Sequence, residues 1–283
     1  MPFEILDTLS MAGSAERAND DALAHFKHAA VVLDGATGLG DALMPGQSDA
    51  AWLANFGARR LMAHLREGAS AKRAVRAALE DAEHSFKALR RREPAETYEM
   101  PFASMMLAVE RKGAINALSF GDCAGLIRRP GESVEIAGEA FEKRAREAAR
   151  VGKLAAARGL APAAGVSRPE FISALRAARN LVNTEKGGWL FGPDVRAAGH
   201  AKETQLAAPA GTVALLLTDG FLALASDYHV YDADQLLAAA QSKGLKALAG
   251  ELRGIEESDP EGRKFPRFKK SDDATALLLR VTD

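Results

Sequence analysis

The sequence predicts an α+β protein whose β-sheets are covered by helices. Three observations carry that expectation. Apolar residues recur at helical spacing in three segments, 50–66, 71–91 and 233–252; six short apolar runs of strand type stand among them; and the two kinds of segment do not alternate strictly as βαβα. Strict alternation would favour a doubly wound parallel sheet, so layers of sheet with helices packed outside are the better expectation.

In chain order, the first strand-type run is AAVVLD (29–34), apolar without clear alternation, as in a strand buried on both faces. AAWLANFGARRLMAHLR (50–66) and AKRAVRAALEDAEHSFKALRR (71–91) follow as amphipathic helices, with Arg90, Arg91 and Arg92 closing the second where cations suit the helix dipole. SMMLAVE (104–110), INALSF (115–120) and GLIRR (125–129) form a run of strands with tight Gly turns. Residues 139–181, rich in Ala, Arg and Glu, read as two helical stretches broken by PAAGVSRPE (162–170), and NTEKGGWLFGPD (183–194) as a glycine-containing loop. The region 139–200 is thus expected to be an insertion within a single domain spanning 1–283. VALLLT (213–218) is a further strand, 233–252 a helix, EESDPEGRKFPRFKKSDD (256–273) an exposed loop and TALLLRV (275–281) the last strand.

Composition narrows the function. With 283 residues, 47% of them hydrophobic and 27% charged, the chain has material for a large core and no bias towards disorder. Its 37 Lys and Arg nearly balance 38 Asp and Glu, so the overall field gives no reason to expect nucleic acid or an anionic membrane as partner. Cys123 is the sole cysteine, which excludes an internal disulfide and a zinc site built from several thiolates. No stretch supplies the ~20 consecutive apolar residues of a membrane span. A cytoplasmic location is expected.

The chemistry concentrates in acidic residues at strand ends. Asp34 closes AAVVLD and precedes Gly35; Asp219 follows VALLLT and precedes Gly220; Asp122 lies between two strands after Gly121; Asp272 and Asp273 precede the last strand; Asp20 and Asp21 lie upstream of them all. A glycine after a strand-end aspartate lets the backbone turn sharply and bring its carbonyl towards a cation. Taken singly, such a pair is a common turn. Converging carboxylates would repel one another without cations or protons, and hard oxygen ligands favour Mg²⁺ or Mn²⁺ over Zn²⁺. The six histidines show no ligand spacing, and Cys123 reads as a small buried hydrophobe.

Taken in order, NDDA (19–22), VVLDGATG (31–38), FGDC (120–123), LLLTDGF (215–221) and SDDATALLL (271–279) resemble the successive motifs of the type 2C metal-dependent protein phosphatases, covering nearly the whole chain. The resemblance implies a central β-sandwich flanked by helices. It implies two Mg²⁺ or Mn²⁺ ions, with a possible third, and water activated for attack on phosphorus in a phosphoprotein substrate. Asp34 would bridge two ions as the central catalytic ligand, with the Gly35 carbonyl on one of them. Asp219 and Asp272 would hold the other, Asp20 and Asp21 would act directly or through metal-held waters, and Asp122 with Asp219 would hold a third. Arg17 stands near the place of the family's phosphate-binding arginine.

Three positions depart from the family pattern. Asp20 is one methylene shorter than the usual glutamate, Ala36 stands where some members carry a histidine, and Glu16 takes part of the place expected for the arginine. These departures keep a second reading open, a pseudophosphatase using the fold as a binding module. A haloacid-dehalogenase reading of LDGAT fails, because Val32 occupies the position of its aspartate nucleophile. Trp189, between Gly187-Gly188 and Leu190, reads either as part of a flap over the site or as the anchor of its own loop.

Overall fold

The computed structural model describes residues 1–46, 48–157, 169–267 and 269–283. Its described strands form two antiparallel five-stranded sheets. One runs β1 (Phe3–Met11), β10 (Ala274–Val281), β9 (Val213–Leu217), β6 (Ala124–Arg128), β7 (Glu135–Ala137) in spatial order. The other runs β2 (Asp21–Phe26), β3 (Ala29–Gly35), β4 (Ala103–Arg111), β5 (Ala114–Phe120), β8 (Lys202–Ala207).

The central strands are apolar on both faces because each face meets a different layer. Ala30, Val32, Met106 and Ala108 point between the sheets, against Ala214, Leu216, Leu277 and Leu279. Their neighbours Val31, Leu33 and Leu107 point outward onto α1 (Asp49–Arg66) and α2 (Ala71–Leu89), meeting Leu53, Leu61, Val75 and Leu79. On the opposite side Leu215, Leu217 and Leu278 pack against α5 (Asp219–Ser226), α6 (Ala233–Lys243) and α7 (Leu245–Ser258). The result is an α+β sandwich with helices over each sheet, as the sequence predicts. α3 (Ala140–Ala156) and α4 (Pro169–Arg179) occupy the expected insertion, and most of the segment expected to break them, 162–170, lies outside the described residues.

Two local expectations need correction. The periodic segment 233–252 is two helices, because Gly244 takes a φ of +82° between them and the Leu245 N–H is capped by Asp7 Oδ2 at 2.8 Å. Asp219-Gly220 is no free turn: it opens α5, with Thr218 at its N-cap.

Antiparallel pairing determines where the acidic motifs emerge. Asp34 is in register with Asp21 on β2 and with Ser104 at the start of β4. In the other sheet Leu217, at the end of β9, pairs with Ala276 near the start of β10 and with Ala124 at the start of β6. Residues just after β3 and β9 and just before β6 and β10 therefore share one end of the sandwich.

Candidate metal centre

Asp34, Asp122 and Asp219 each bring a carboxylate oxygen within 4.8 Å of the other two. At that separation a pair of unit charges repels by about 3 kcal/mol at an effective dielectric of about 20. The site accommodates this through protonation or a cation. Burial, then the charges of Asp219 and Asp21, pushes the Asp34 carboxyl well above the usual carboxylate range. Burial likewise raises Asp219 to about 6, although Arg144 pulls the other way. Arg144 Nη1 donates to Asp219 Oδ2 at 2.6 Å, and its other nitrogens reach Asp227 at 3.2 Å.

Asp21 sits beside this trio with 5% of its surface exposed. Thr218 Oγ1 donates to its Oδ2 at 2.8 Å, while Oδ1 is buried without a hydrogen-bond partner. Burial, only partly offset by hydrogen bonds from threonine, lifts its carboxyl well above the usual range. Asp122 accepts a 2.5 Å hydrogen bond from Ser104 Oγ. Asp272 lines the same cavity, with Lys269 Nζ donating to its Oδ1 at 2.6 Å. Burial would raise the Asp272 carboxyl, yet the Lys269 ammonium holds it below its ordinary value.

The glycines after these aspartates are required by space. A Cβ on Gly35 would lie 2.5 Å from the Asp20 carbonyl oxygen, and one on Gly220 would lie 1.9 Å from that of Asp273. Asp273 itself accepts from the Gly13 and Asp20 N–H groups at 2.7 Å, so it ties the N-terminal segment to the last strand.

Asp20 and Arg17 lie to one side. Asp20 receives the Ser48 hydroxyl and lines a neighbouring groove, with its carboxyl raised mainly by burial. Arg17 is exposed and lines that same groove, outside the cavity of the three clustered aspartates.

Neither a family model nor a curated protein matches the sequence. Solved structures do match. The serine/threonine phosphatase PstP/Ppp of Mycobacterium tuberculosis superposes with a TM-score of 0.60 at 17% identity, covering 100% of both chains. The catalytic domain of a serine/threonine protein phosphatase PstP in complex with two manganese ions gives 0.57 at 17% identity, covering 100% of this chain and 99% of that one. PppA of Pseudomonas aeruginosa, described as a regulatory component of its T6SS, gives 0.55 at 14% identity over 99% and 98% of the chains. This chain has the type 2C phosphatase fold.

Within the phosphatase fold, the donor set fits a divalent cation. The clustered groups offer carboxylate oxygens alone, of which Asp34 and Asp122 have no cationic partner among the described contacts, and beside them Asp21 has one buried oxygen with no hydrogen-bond partner. Four cationic residues at the cavity escaped the sequence reading: Lys143, Arg144, Arg179 and Lys269. Lys143 donates to the Gly121 carbonyl at 2.6 Å, and Arg179 to the Thr37 carbonyl at 2.5 Å. Burial lowers Arg179 to about 10. Lys143 and Arg144 lie on α3 and Arg179 on α4, helices whose charged residues look like those of any solvated helix. Lys269 carried a weak signal, its spacing of three residues from Asp272.

The region 139–200 also supplies an apolar wall from Leu175, Val182, Trp189 and Leu190. Trp189 stacks on His200 with ring centroids 3.5 Å apart and planes 3° apart, so it anchors its loop while also lining the cavity. Cys123 is fully buried, and burial pushes its thiol well above its ordinary value, which leaves it no nucleophilic role. No helix among the described residues is long and apolar enough to cross a membrane.

Proposed function

We propose that the protein hydrolyses phosphomonoesters, with phosphoserine and phosphothreonine in proteins as its substrates, and requires Mg²⁺ or Mn²⁺. The observation that supports this most is the convergence of Asp34, Asp122 and Asp219 at one end of a type 2C phosphatase fold. In this reading Asp34 is the central ligand, aided by the Gly35 carbonyl, with Asp219, Asp122 and Asp272 as further ligands and Asp21 and Asp20 behind them. A cation bound there would lower the pKa of a water nucleophile and draw charge from the phosphoryl oxygens.

The chain's own residues supply the rest. Lys143 and Arg179 give the cavity positive charge that attracts a phosphate dianion, and Arg17 adds to it from the neighbouring groove. Ala36 offers no proton, so water or another residue of the cavity protonates the leaving alkoxide.

A second reading, a pseudophosphatase, draws support from one observation: Asp219 and Asp272 already carry protein cations in Arg144 and Lys269. Turnover of p-nitrophenyl phosphate and of a phosphothreonine peptide, each measured with and without Mn²⁺, separates the two readings. The phosphatase reading expects metal-dependent release of phosphate from both substrates. Absence of turnover from either substrate at any Mn²⁺ or Mg²⁺ concentration would leave the binding-module reading.

A further inference from the structure

The carboxylates of the centre are not equally available to a cation. Asp272 Oδ1 accepts both the Lys269 ammonium at 2.6 Å and the Asp273 N–H at 3.0 Å. Asp219 likewise gives one oxygen to a cation, Arg144, at 2.6 Å, and like Asp272 keeps the other outside that contact. Asp34 has no cationic partner among the described contacts, and Asp122 is held by the neutral Ser104 hydroxyl.

The position of Lys269 is built. Asp259, 9% exposed, gathers the loop before β10 by accepting the N–H groups of Arg263 and Phe265 at 2.9 and 3.0 Å and Arg267 Nη1 at 3.0 Å. The chain leaves that hub and returns to the sandwich with Lys269 directed into the cavity that Asp34, Asp122, Asp219 and Asp272 line. The segment expected to be merely an exposed loop thus delivers a charge to the centre.

We propose that Lys269 is a resident counter-cation of the centre, so that the protein binds one divalent ion tightly, at Asp34, Asp122 and Asp219, and a second, Asp272-linked ion only weakly. The inference rests on the metal-dependent reading above and concerns the number of ions. A second ion on Asp272 must either displace the ammonium or sit beside it, and both oppose binding. The PstP domain of the same fold, in complex with two manganese ions, provides the contrast.

Calorimetric titration of metal-stripped protein with MnCl₂ tests this. Wild type should take up one equivalent tightly, whereas Lys269→Met should take up two, its second ion tightened by about tenfold or more. Lys269→Arg, which keeps the charge, should match wild type, and circular dichroism of each variant checks the fold. Two equivalents of equal affinity in wild type would overturn the inference while leaving the metal-dependent reading intact. A folded Lys269→Met that still takes up one equivalent would also overturn it. Absence of Mn²⁺ binding by wild type and both variants would remove the metal centre itself.

Discussion

Asp219→Asn should stabilise the metal-free protein in a way that grows with pH. Burial raises this carboxyl from 3.8 to about 6, with Arg144 opposing and Asp122 and Asp272 assisting the rise. The unfolded chain releases the proton near the ordinary value. The folded form therefore holds an extra proton between those values, and its stability falls as pH rises through about 6. The difference corresponds to about 3 kcal/mol, fully present below about pH 4 and lost above about pH 7. Asparagine fixes the uncharged form and leaves Arg144 its contact with Asp227. In excess EDTA the variant should melt close to wild type near pH 4, and on the order of 5 °C higher near pH 8. Saturating Mn²⁺ should reverse the order, because only wild type keeps the ligand. Thermal melts followed by circular dichroism across this range provide the assay. A melting difference that does not change with pH in EDTA, or a variant less stable than wild type at pH 8, would mean that the Asp219 carboxyl is not raised by its burial.

Asp122→Asn should lose activity only in part and recover with excess Mn²⁺, because it removes the charge of one of three clustered carboxylates while keeping a carbonyl oxygen, and Asp34 and Asp219 remain; a Mn²⁺ activation curve that does not shift would contradict this. Trp189→Ala, which deletes the stack on His200 and part of the apolar wall, should lower peptide turnover more than p-nitrophenyl phosphate turnover, and equal losses would make its role purely structural. Gly220→Ala places a methyl where the Asp273 carbonyl lies, so urea unfolding should show a loss of about 3 kcal/mol or more, with activity falling as Asp219 is displaced. Wild-type stability in that variant would mean that the close approach is not maintained in solution.

Much of the architecture is legible in the sequence because the central strands and the long helices are strongly apolar. The runs at 29–34, 104–110 and 213–218 are continuous because both faces are covered, one by the other sheet and one by helices. The four edge strands, β1, β2, β7 and β8, carry no such signal, because one side of each is left without a neighbouring strand. In β8, Lys202, Glu203 and Gln205 stand at an edge exposed to solvent, so its composition resembles a loop. The acidic residues were legible singly, but their convergence depends on antiparallel register, which brings the starts of β6 and β10 beside the end of β9. The cations had no such marker. Lys143 and Arg144 reach the centre only because α3 packs over it, a tertiary fact that helical periodicity does not contain.

If Asp34 anchors a metal-dependent phosphatase centre, Mn²⁺ activation of phosphothreonine-peptide hydrolysis, measured side by side in metal-stripped wild type and Asp34→Asn, will show it. Wild type should be silent in EDTA and active on adding Mn²⁺, and Asp34→Asn, folded by circular dichroism, should show near-complete loss at every Mn²⁺ concentration. Undiminished wild-type turnover in excess EDTA, or wild-type turnover by Asp34→Asn, would show that Asp34 does not anchor such a centre.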